Sequence, residues 1–174
     1  MIKEITKNIW QISFDIFGSV VYFLKLSNKN IIIDTSTSQN SFELIRELKS
    51  IGISPEDIDI VILTHNHYDH IDNNSLFEKA KFYASKEDFK DEKILNIYDL
   101  GMPQLEVIKT PGHTIGGICL LLKKEKILFS GDTIFHNGYI GRTDLPTSSP
   151  EQMAESLKKL NKIGYKILCP GHLY

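Results

Sequence analysis

Apolar and polar positions alternate, or apolar residues form short runs, over the first part of the chain. The segments Asn8 to Phe14, Ser19 to Leu26 and Lys29 to Asp34 are rich in β-branched and aromatic residues, and Gly18 and Ser27-Asn28 separate them. The opening seven residues also alternate and are predicted to form a first strand. The N-terminal part is therefore predicted to be a meander of strands.

Helical spacing of apolar residues appears between Phe42 and Ile51, which predicts a first amphipathic helix. Asn40 and Glu43 are placed to form a capping box, and Gly52 to end the helix. A last helix is predicted near the C-terminus by an N-cap and capping-box pattern. Its signals are Ser149 as N-cap, Pro150 at the first position, Gln152 completing the box and Gly164 after the end.

Strands and helices are predicted to alternate over the rest of the chain. Ser75 to Ala80 has a helical pattern, whereas Ser85 to Glu92 is too polar to assign. The predicted strands are Ile58 to Leu63, Lys81 to Ala84, Leu105 to Ile108, Ile118 to Leu122, Lys126 to Ser130 and Tyr165 to Cys169. Strands followed twice by alternating helices and strands predict two sheets packed together with helices outside, an α/β fold.

Composition narrows the choice of protein class. The chain has 174 residues, a length typical of one domain, so we expect one domain over residues 1–174. Its 20 Lys and Arg are balanced by 22 Asp and Glu, so we expect no nucleic-acid partner. No apolar run has the length of a membrane span and the start does not resemble a signal peptide, so a cytoplasmic location without membrane association is expected. Cys119 and Cys169 are expected to be buried thiols.

The segment Thr64-His65-Asn66-His67-Tyr68-Asp69-His70 carries the strongest chemical signal, directly after a predicted buried strand. A lone histidine is most often an ordinary core or surface residue. Three imidazoles and a carboxylate in one turn are different, because burying them together is costly without a compensating charge. Nitrogen and oxygen donors at this density are typical of a divalent metal site.

Further candidate ligands follow other predicted strands. His113 follows Thr110-Pro111-Gly112, Asp132 lies in Ser130-Gly131-Asp132-Thr133, and His172 follows Pro170-Gly171. Loops at strand ends present functional groups from a rigid scaffold, so these residues are candidate site residues. His136 lacks such a context and is expected to be an ordinary loop residue.

In order and approximate spacing, these motifs resemble the metallo-β-lactamase superfamily from Asp34 to His172. The resemblance implies an αββα sandwich of two mixed β-sheets flanked by helices. It also implies two divalent metal ions and an acidic residue, Asp34, that orients the ligand loop without binding metal. The implied ligands are His65, His67 and His113 for one metal and Asp69, His70 and His172 for the other, with Asp132 bridging both.

Within the superfamily, the motifs of this sequence resemble those of small glyoxalase II-like hydrolases. Asp132 differs from the Cys of many antibiotic-hydrolysing members, and His67 differs from the Glu of flavodiiron proteins. The stretch Gly141-Arg142-Thr143-Asp144-Leu145-Pro146 is similar to the GRTDLP of the glyoxalase II-like group. The resemblance implies that Arg142 and Tyr174 bind an anionic, thiol-derived part of the substrate; the alternative for Arg142 is that it only pairs with Asp144 or braces the loop.

Two features depart from the family pattern. Ile71-Asp72-Asn73 replaces the Gly-Gly pair that many relatives have after the ligand motif, so the shape of this loop is not predicted. The sequence ends at Tyr174, so the C-terminal helical domain with which glyoxalase II binds glutathione is not expected. Specificity for glutathione therefore does not follow from the resemblance.

The resemblance implies hydrolysis of a small-molecule thioester, such as S-lactoylglutathione, by a hydroxide that bridges the metals beside the catalytic carboxylates Asp69 and Asp132. The alternative within the superfamily is a persulfide dioxygenase with a single iron on His65, His113 and Asp132. A non-catalytic metal-binding module is a third reading. Zinc is the expected metal, iron and manganese also suit these ligands, and the oligomeric state is left open.

Overall fold

The computed structural model describes residues 1–173 and contains two β-sheets, of seven and four strands, with three α-helices. The strands are β1 Ile2–Thr6, β2 Ile9–Ile12, β3 Val21–Leu26, β4 Lys29–Ile33, β5 Ile60–Ile62, β6 Lys81–Ala84, β7 Leu95–Asn96, β8 Leu105–Lys109, β9 Ile118–Leu122, β10 Ile127–Gly131 and β11 Ile167–Pro170. The helices are α1 Ser41–Ser50, α2 Tyr68–Ile71 and α3 Pro150–Leu160.

The chain divides into two compact units. The first consists of Met1–Leu63 and His67–Tyr83, and the second of Thr64–Asn66 with the chain from Ala84 onward. The boundary falls inside the histidine-rich segment, so its first three residues belong to one unit and His67 onward to the other. The expectation of a single domain stays a prediction.

In the first unit, strands β1 to β6 follow one another in chain order within the larger sheet. The pairs from β1 to β4 are antiparallel, as the predicted meander requires, and β4, β5 and β6 are parallel. Ile31, Ile32 and Ile33 of β4 are fully buried or nearly so, as is typical of a strand that is covered on both faces. Parallel strands place their carboxyl ends at one edge, and that edge carries the polar residues described below.

Helix α1 follows Asn40, but the predicted capping box with Glu43 is wrong. The side-chain amide of Asn40 instead donates to the main-chain carbonyls of Ile16 and Phe17 and to the hydroxyl groups of Ser36 and Thr37. Asn40 is thus used to hold the loop between β2 and β3. Glu43 forms an ion pair with Arg46 along the helix.

In the second unit the smaller sheet has the strand order β11-β10-β9-β8. Because β9 is antiparallel to both β8 and β10, and β10 is parallel to β11, strands β8, β10 and β11 all run in one direction. The hydrophobic core of this unit contains Ile108, Cys119 and Leu128 from the sheet and Leu160 from helix α3. Both cysteines are buried free thiols, and burial raises the pKa of Cys119 to about 11 and that of Cys169 to about 12.

Helix α3 begins as the sequence predicts, with Pro150 at its first position. The Ser149 hydroxyl accepts from the Gln152 main-chain N–H at 3.2 Å. The reciprocal half of the predicted capping box is absent here, because the N–H of Ser149 donates to the carbonyl of Gly112 at 2.8 Å. That bond ties the helix N-terminus to the turn before His113.

Each predicted strand is present, two with the predicted bounds (Lys81–Ala84 and Ile118–Leu122) and the others with bounds that differ by a few residues. Residues 58–63 were expected as one strand, but a 3₁₀ turn at Pro55–Asp57 precedes it and only Ile60–Ile62 pair as β5. The predicted helix at Ser75 to Ala80 is a 3₁₀ helix at Asn74–Phe77. Among the described residues, no helix is both long and apolar enough to cross a membrane.

Candidate metal centre

Three of the predicted ligands in the second unit follow strands that run in the same direction. His113 follows β8 after a short turn, Asp132 comes directly after β10, and His172 lies just beyond β11. The carboxyl ends of these strands meet at the same edge of the sheet. The topology therefore brings three residues from distant parts of the sequence together.

Asp132 lies at the centre of this group. Its Oδ2 atom is 3.4 Å from Nε2 of His113 and 3.4 Å from Nε2 of His172. The ring of His65 contacts that of His113 edge-on, with centroids 5.0 Å apart. All four residues are buried, with at most 8% of each exposed. Three imidazoles and one carboxylate thus share a buried cluster in this unit.

The tautomer of His113 is fixed by a main-chain contact. Its Nδ1 atom lies 2.8 Å from the carbonyl oxygen of Arg142, which only accepts hydrogen bonds. In the neutral ring Nδ1 therefore carries the proton and Nε2 presents its lone pair toward Asp132. A lone pair and a carboxylate oxygen at 3.4 Å repel each other unless a positive charge lies with them. The donor set and its orientation therefore fit a divalent cation.

His65 is held through its own neighbour. The hydroxyl of Thr64 is 3.1 Å from Nδ1 of His65, and the carbonyl of Thr64 accepts from the N–H of Ile118 at the start of β9. The main chain immediately before His65 is thereby fastened to the smaller sheet. This fixes where the histidine-rich segment begins.

The first unit contributes the other predicted ligands. His67 is the N-cap residue of the short helix α2, which contains Asp69 and His70. Nδ1 of His70 lies 2.7 Å from Oδ2 of Asp34, both fully buried or nearly so, and the carbonyl of His70 accepts from the N–H and hydroxyl of Thr35. Because the carboxylate accepts, Nδ1 of His70 carries the ring proton and Nε2 is its acceptor atom.

The segment that replaces the family's Gly-Gly pair has a defined conformation. Asn73 is buried, and its amide donates to the carbonyls of Thr35 and Thr37, while its oxygen accepts from the hydroxyl of Ser41. Asp72 accepts from the hydroxyl of Ser38. These side chains hold the end of α2 against the segment after Asp34. The sequence did not single out Asn73, whose only visible signal is a departure from the family pattern.

The Gly-Arg-Thr-Asp segment supports His113 through its main chain. At Gly141 a Cβ atom would lie 2.0 Å from the carbonyl of Asp132 and 3.0 Å from the ring of His113, so only glycine fits. The carbonyl of the next residue, Arg142, accepts from His113 as described above. This support by the main chain was not predicted from the sequence.

The side chain of Arg142 forms a bidentate ion pair with Asp144. Its Nε and one terminal nitrogen each lie 2.9 Å from a carboxylate oxygen, and both side chains are 69% exposed. Mutual hydrogen bonding raises the pKa of Arg142 and lowers that of Asp144. His136 is exposed in a turn, as expected. Tyr174 lies outside the described residues.

Comparison with known proteins places the chain in a family. The family model described as the metallo-beta-lactamase superfamily matches residues 15–86 and 81–172. The chain belongs to this superfamily, which confirms the resemblance seen in the sequence motifs.

Individual relatives agree with this assignment. The chain is 37% identical over 144 residues to a probable metallo-hydrolase of Methanocaldococcus jannaschii, covering 82% of this chain and 70% of the relative. It is 31% identical over 163 residues to a hydroxyacylglutathione hydrolase of Francisella tularensis subsp. novicida, covering 88% of this chain and 62% of the relative.

A solved structure confirms the fold class. A metallo-beta-lactamase family protein from Thermus thermophilus matches with a TM-score of 0.83 at 18% identity, covering 98% of this chain and 75% of the other. The expected α/β fold with two mixed sheets is therefore that of the metallo-β-lactamase proteins. Family and relatives together support a metal-dependent hydrolase.

Proposed function

We propose that the protein is a binuclear metal-dependent thioesterase with an activity like that of the hydroxyacylglutathione hydrolases. The observation that carries the proposal is the buried carboxylate of Asp132 with an imidazole nitrogen of His113 and one of His172 each at 3.4 Å. The similarity to a hydroxyacylglutathione hydrolase over most of this chain supports the choice of substrate class.

The proposed ligands divide into two sets with one shared residue. Asp132 is shared, because its carboxylate has one imidazole nitrogen from each set beside it. Divalent ions held by these residues would lower the pKa of a bound water toward neutrality and would polarise the substrate carbonyl. One set is His65, His67 and His113, and the other is Asp69, His70 and His172, with zinc expected and iron or manganese as alternatives.

The chain's own residues orient the donors. The carbonyl of Arg142 accepts a hydrogen bond from Nδ1 of His113, and the carboxylate of Asp34 accepts one from Nδ1 of His70, so Nε2 of each ring is left to bind metal. Asp69 and Asp132 are the proposed catalytic carboxylates because the family resemblance implies this role for them, and both side chains are buried. Ordering of these groups before substrate arrives lowers the cost of reaching the transition state.

Substrate recognition is proposed to involve the side chain of Arg142 and Tyr174. The Arg142 guanidinium is exposed and already holds a carboxylate, that of Asp144, in a bidentate geometry. The same geometry suits a carboxylate of a thiol-derived substrate. Tyr174 is included because the family resemblance implies this role for it, and it lies outside the described residues.

The test is an anaerobic thioesterase assay with S-lactoylglutathione, in which a thiol reagent detects released glutathione. We expect thiol release that a chelator abolishes and that added Zn²⁺, Mn²⁺ or Fe²⁺ restores. Oxygen consumption with glutathione persulfide, without any thiol release from the thioester, would instead identify a persulfide dioxygenase and overturn the proposal. Stoichiometric metal binding with turnover of neither substrate would leave a binding module and would also overturn it.

A further inference from the structure

Asp88 connects two separate loops of the second unit. Its Oδ2 atom accepts from the main-chain N–H of Asn66 at 3.3 Å and from the hydroxyl of Thr114 at 2.6 Å. Its Oδ1 atom accepts from the N–H of Gly116 at 2.6 Å, and its main-chain carbonyl accepts from the side-chain amide of Asn66 at 3.2 Å. One residue therefore receives four hydrogen bonds from two loops.

These loops are the ones that carry His65 and His113. Asn66 directly follows His65, and Thr114 directly follows His113. The two imidazole rings pack edge-on, with their centroids 5.0 Å apart. A shift of either loop relative to Asp88 would therefore change the separation of the two rings.

Close packing keeps Asp88 in place. A Cβ atom at Gly116 would lie 2.5 to 2.7 Å from the main-chain nitrogen and the carboxyl group of Asp88, so the loop approaches as closely as its main chain allows. The neighbouring Phe89 is buried, and the N–H of Asp88 donates to the carbonyl of Ser85. The main chain around Asp88 is therefore packed and hydrogen-bonded, which limits the positions that the carboxylate can take.

We propose that Asp88 is a positioning residue that sets the separation of His65 and His113, and so the affinity of the metal set to which both belong. This inference rests on the proposed function, in which both histidines bind the same ion. Hydrogen bonds to a carboxylate are stronger than those to a neutral acceptor, so the two loops are held before any metal binds. Residues that support metal ligands in this way typically alter affinity 10- to 100-fold when replaced.

The variants Asp88→Ala and Asp88→Asn test the inference by metal titration of the metal-free protein. Asp88→Ala removes the three hydrogen bonds that the carboxylate accepts and should weaken Co²⁺ binding at the set containing His65 and His113 by roughly 10- to 100-fold. Asp88→Asn retains one carbonyl oxygen but cannot accept from Asn66, Thr114 and Gly116 together, so its loss should be smaller. The Co²⁺ absorption spectrum should change in both, because the ligand geometry changes.

Two further variants separate positioning from general stability. Gly116→Ala displaces the same contact without removing the carboxylate and should also alter the Co²⁺ spectrum. Glu87→Gln removes the neighbouring carboxylate, which forms an exposed ion pair with Lys109, and should leave the Co²⁺ affinity unchanged. Thermal unfolding of the metal-free forms measures stability on its own.

The outcomes distinguish this inference from the proposed function. If Asp88→Ala lowers the melting temperature of the metal-free protein but leaves Co²⁺ affinity and spectrum as in the wild type, Asp88 is only structural and the inference is wrong. If the wild-type protein binds no Co²⁺, or binds it equally well after His65→Ala and His113→Ala, the proposed metal centre itself fails. Weaker binding and an altered spectrum in Asp88→Ala, with Glu87→Gln unchanged, support the inference.

Discussion

The imidazole of His113 donates its Nδ1 proton to the main-chain carbonyl of Arg142 at 2.8 Å, while the guanidinium of Arg142 pairs with Asp144. Arg142 therefore has two separate contacts, one through its main chain and one through its side chain. Substitution of the side chain leaves the carbonyl in place. This separation makes the proposed substrate role of Arg142 open to a clean test.

Arg142→Ala is expected to keep the full metal content and to bind an anionic thioester less tightly. Loss of one charge-assisted hydrogen bond should raise KM for S-lactoylglutathione roughly tenfold and leave KM for a neutral thioester unchanged. Steady-state kinetics on both substrates, with metal analysis of each variant, measures this. Asp144→Ala is the control, because it breaks the same ion pair but retains the guanidinium. An equal loss on both substrates would mean that Arg142 only braces its loop.

Asp132→Ala is expected to lose most of the bound metal and nearly all activity. Asp132 is the proposed shared ligand, so both ions lose a negatively charged donor at once. Metal analysis after gel filtration checks the result. His136→Ala is the matched control, because this exposed histidine is not among the proposed ligands and its replacement should leave the metal content unchanged. Two metals and normal turnover in Asp132→Ala would contradict the shared role.

Asp34→Asn is expected to weaken binding at the set containing His70. Asn tolerates the left-handed main-chain conformation that Asp34 adopts, with φ of 57°, so the main chain should be preserved. The hydrogen bond from Nδ1 of His70 then goes to a neutral acceptor and makes Nε2 a weaker donor to a metal. Titration with Zn²⁺ should show roughly a tenfold loss for one ion only. An equal loss for both ions would indicate a change of fold instead.

Stability is expected to fall in alkaline solution because of the two buried thiols. Burial raises the pKa of Cys119 to about 11 and that of Cys169 to about 12. In the unfolded chain a cysteine thiol has a pKa of about 8.5. The unfolded state therefore releases protons first, and each thiol favours unfolding by about 1.4 kcal/mol per pH unit above that value until its folded pKa is reached. Below about pH 8 neither thiol affects the pH dependence.

Urea unfolding of the metal-free protein between pH 8 and 10.5 measures this effect. The Cys119→Ala/Cys169→Ala variant should show a shallower decline in the free energy of unfolding over the same range. Both proteins contain the same tyrosines and lysines, so the difference between them isolates the thiols. Identical slopes would show that the thiols do not ionise on unfolding in this range.

The sequence predicts the strands well because they leave local signals. Runs such as Ile118–Leu122 and Lys81–Ala84 are bounded by polar or turn residues, and the structure gives these two strands the predicted bounds. The candidate ligands in the second unit are visible as three histidines and one aspartate that follow strands. The local sequence pattern does not predict which group a cap residue will hydrogen-bond in the folded chain. Asn40 bonds distant main-chain groups in place of the predicted box, whereas the Ser149 hydroxyl caps its helix as predicted and only its main-chain N–H bonds elsewhere, to Gly112.

The residues that support the site are harder to predict because their partners are distant in sequence. Asp88 lies in the polar segment that could not be assigned, and its partners Asn66 and Gly116 become neighbours only after folding. Asn73 likewise gains its meaning from the carbonyls of Thr35 and Thr37. The role of the Arg142 carbonyl cannot be predicted from the sequence, because every residue has a main-chain carbonyl.

Titration of the metal-free protein with Zn²⁺, with thiol release from S-lactoylglutathione followed anaerobically at each step, tests the central claim most directly. Two equivalents per chain should bind, and activity should reach its maximum only as the second is added, because Asp132 is proposed to serve both ions. Saturation at one equivalent, or two bound equivalents with no thiol release, would contradict the assignment as a binuclear thioesterase.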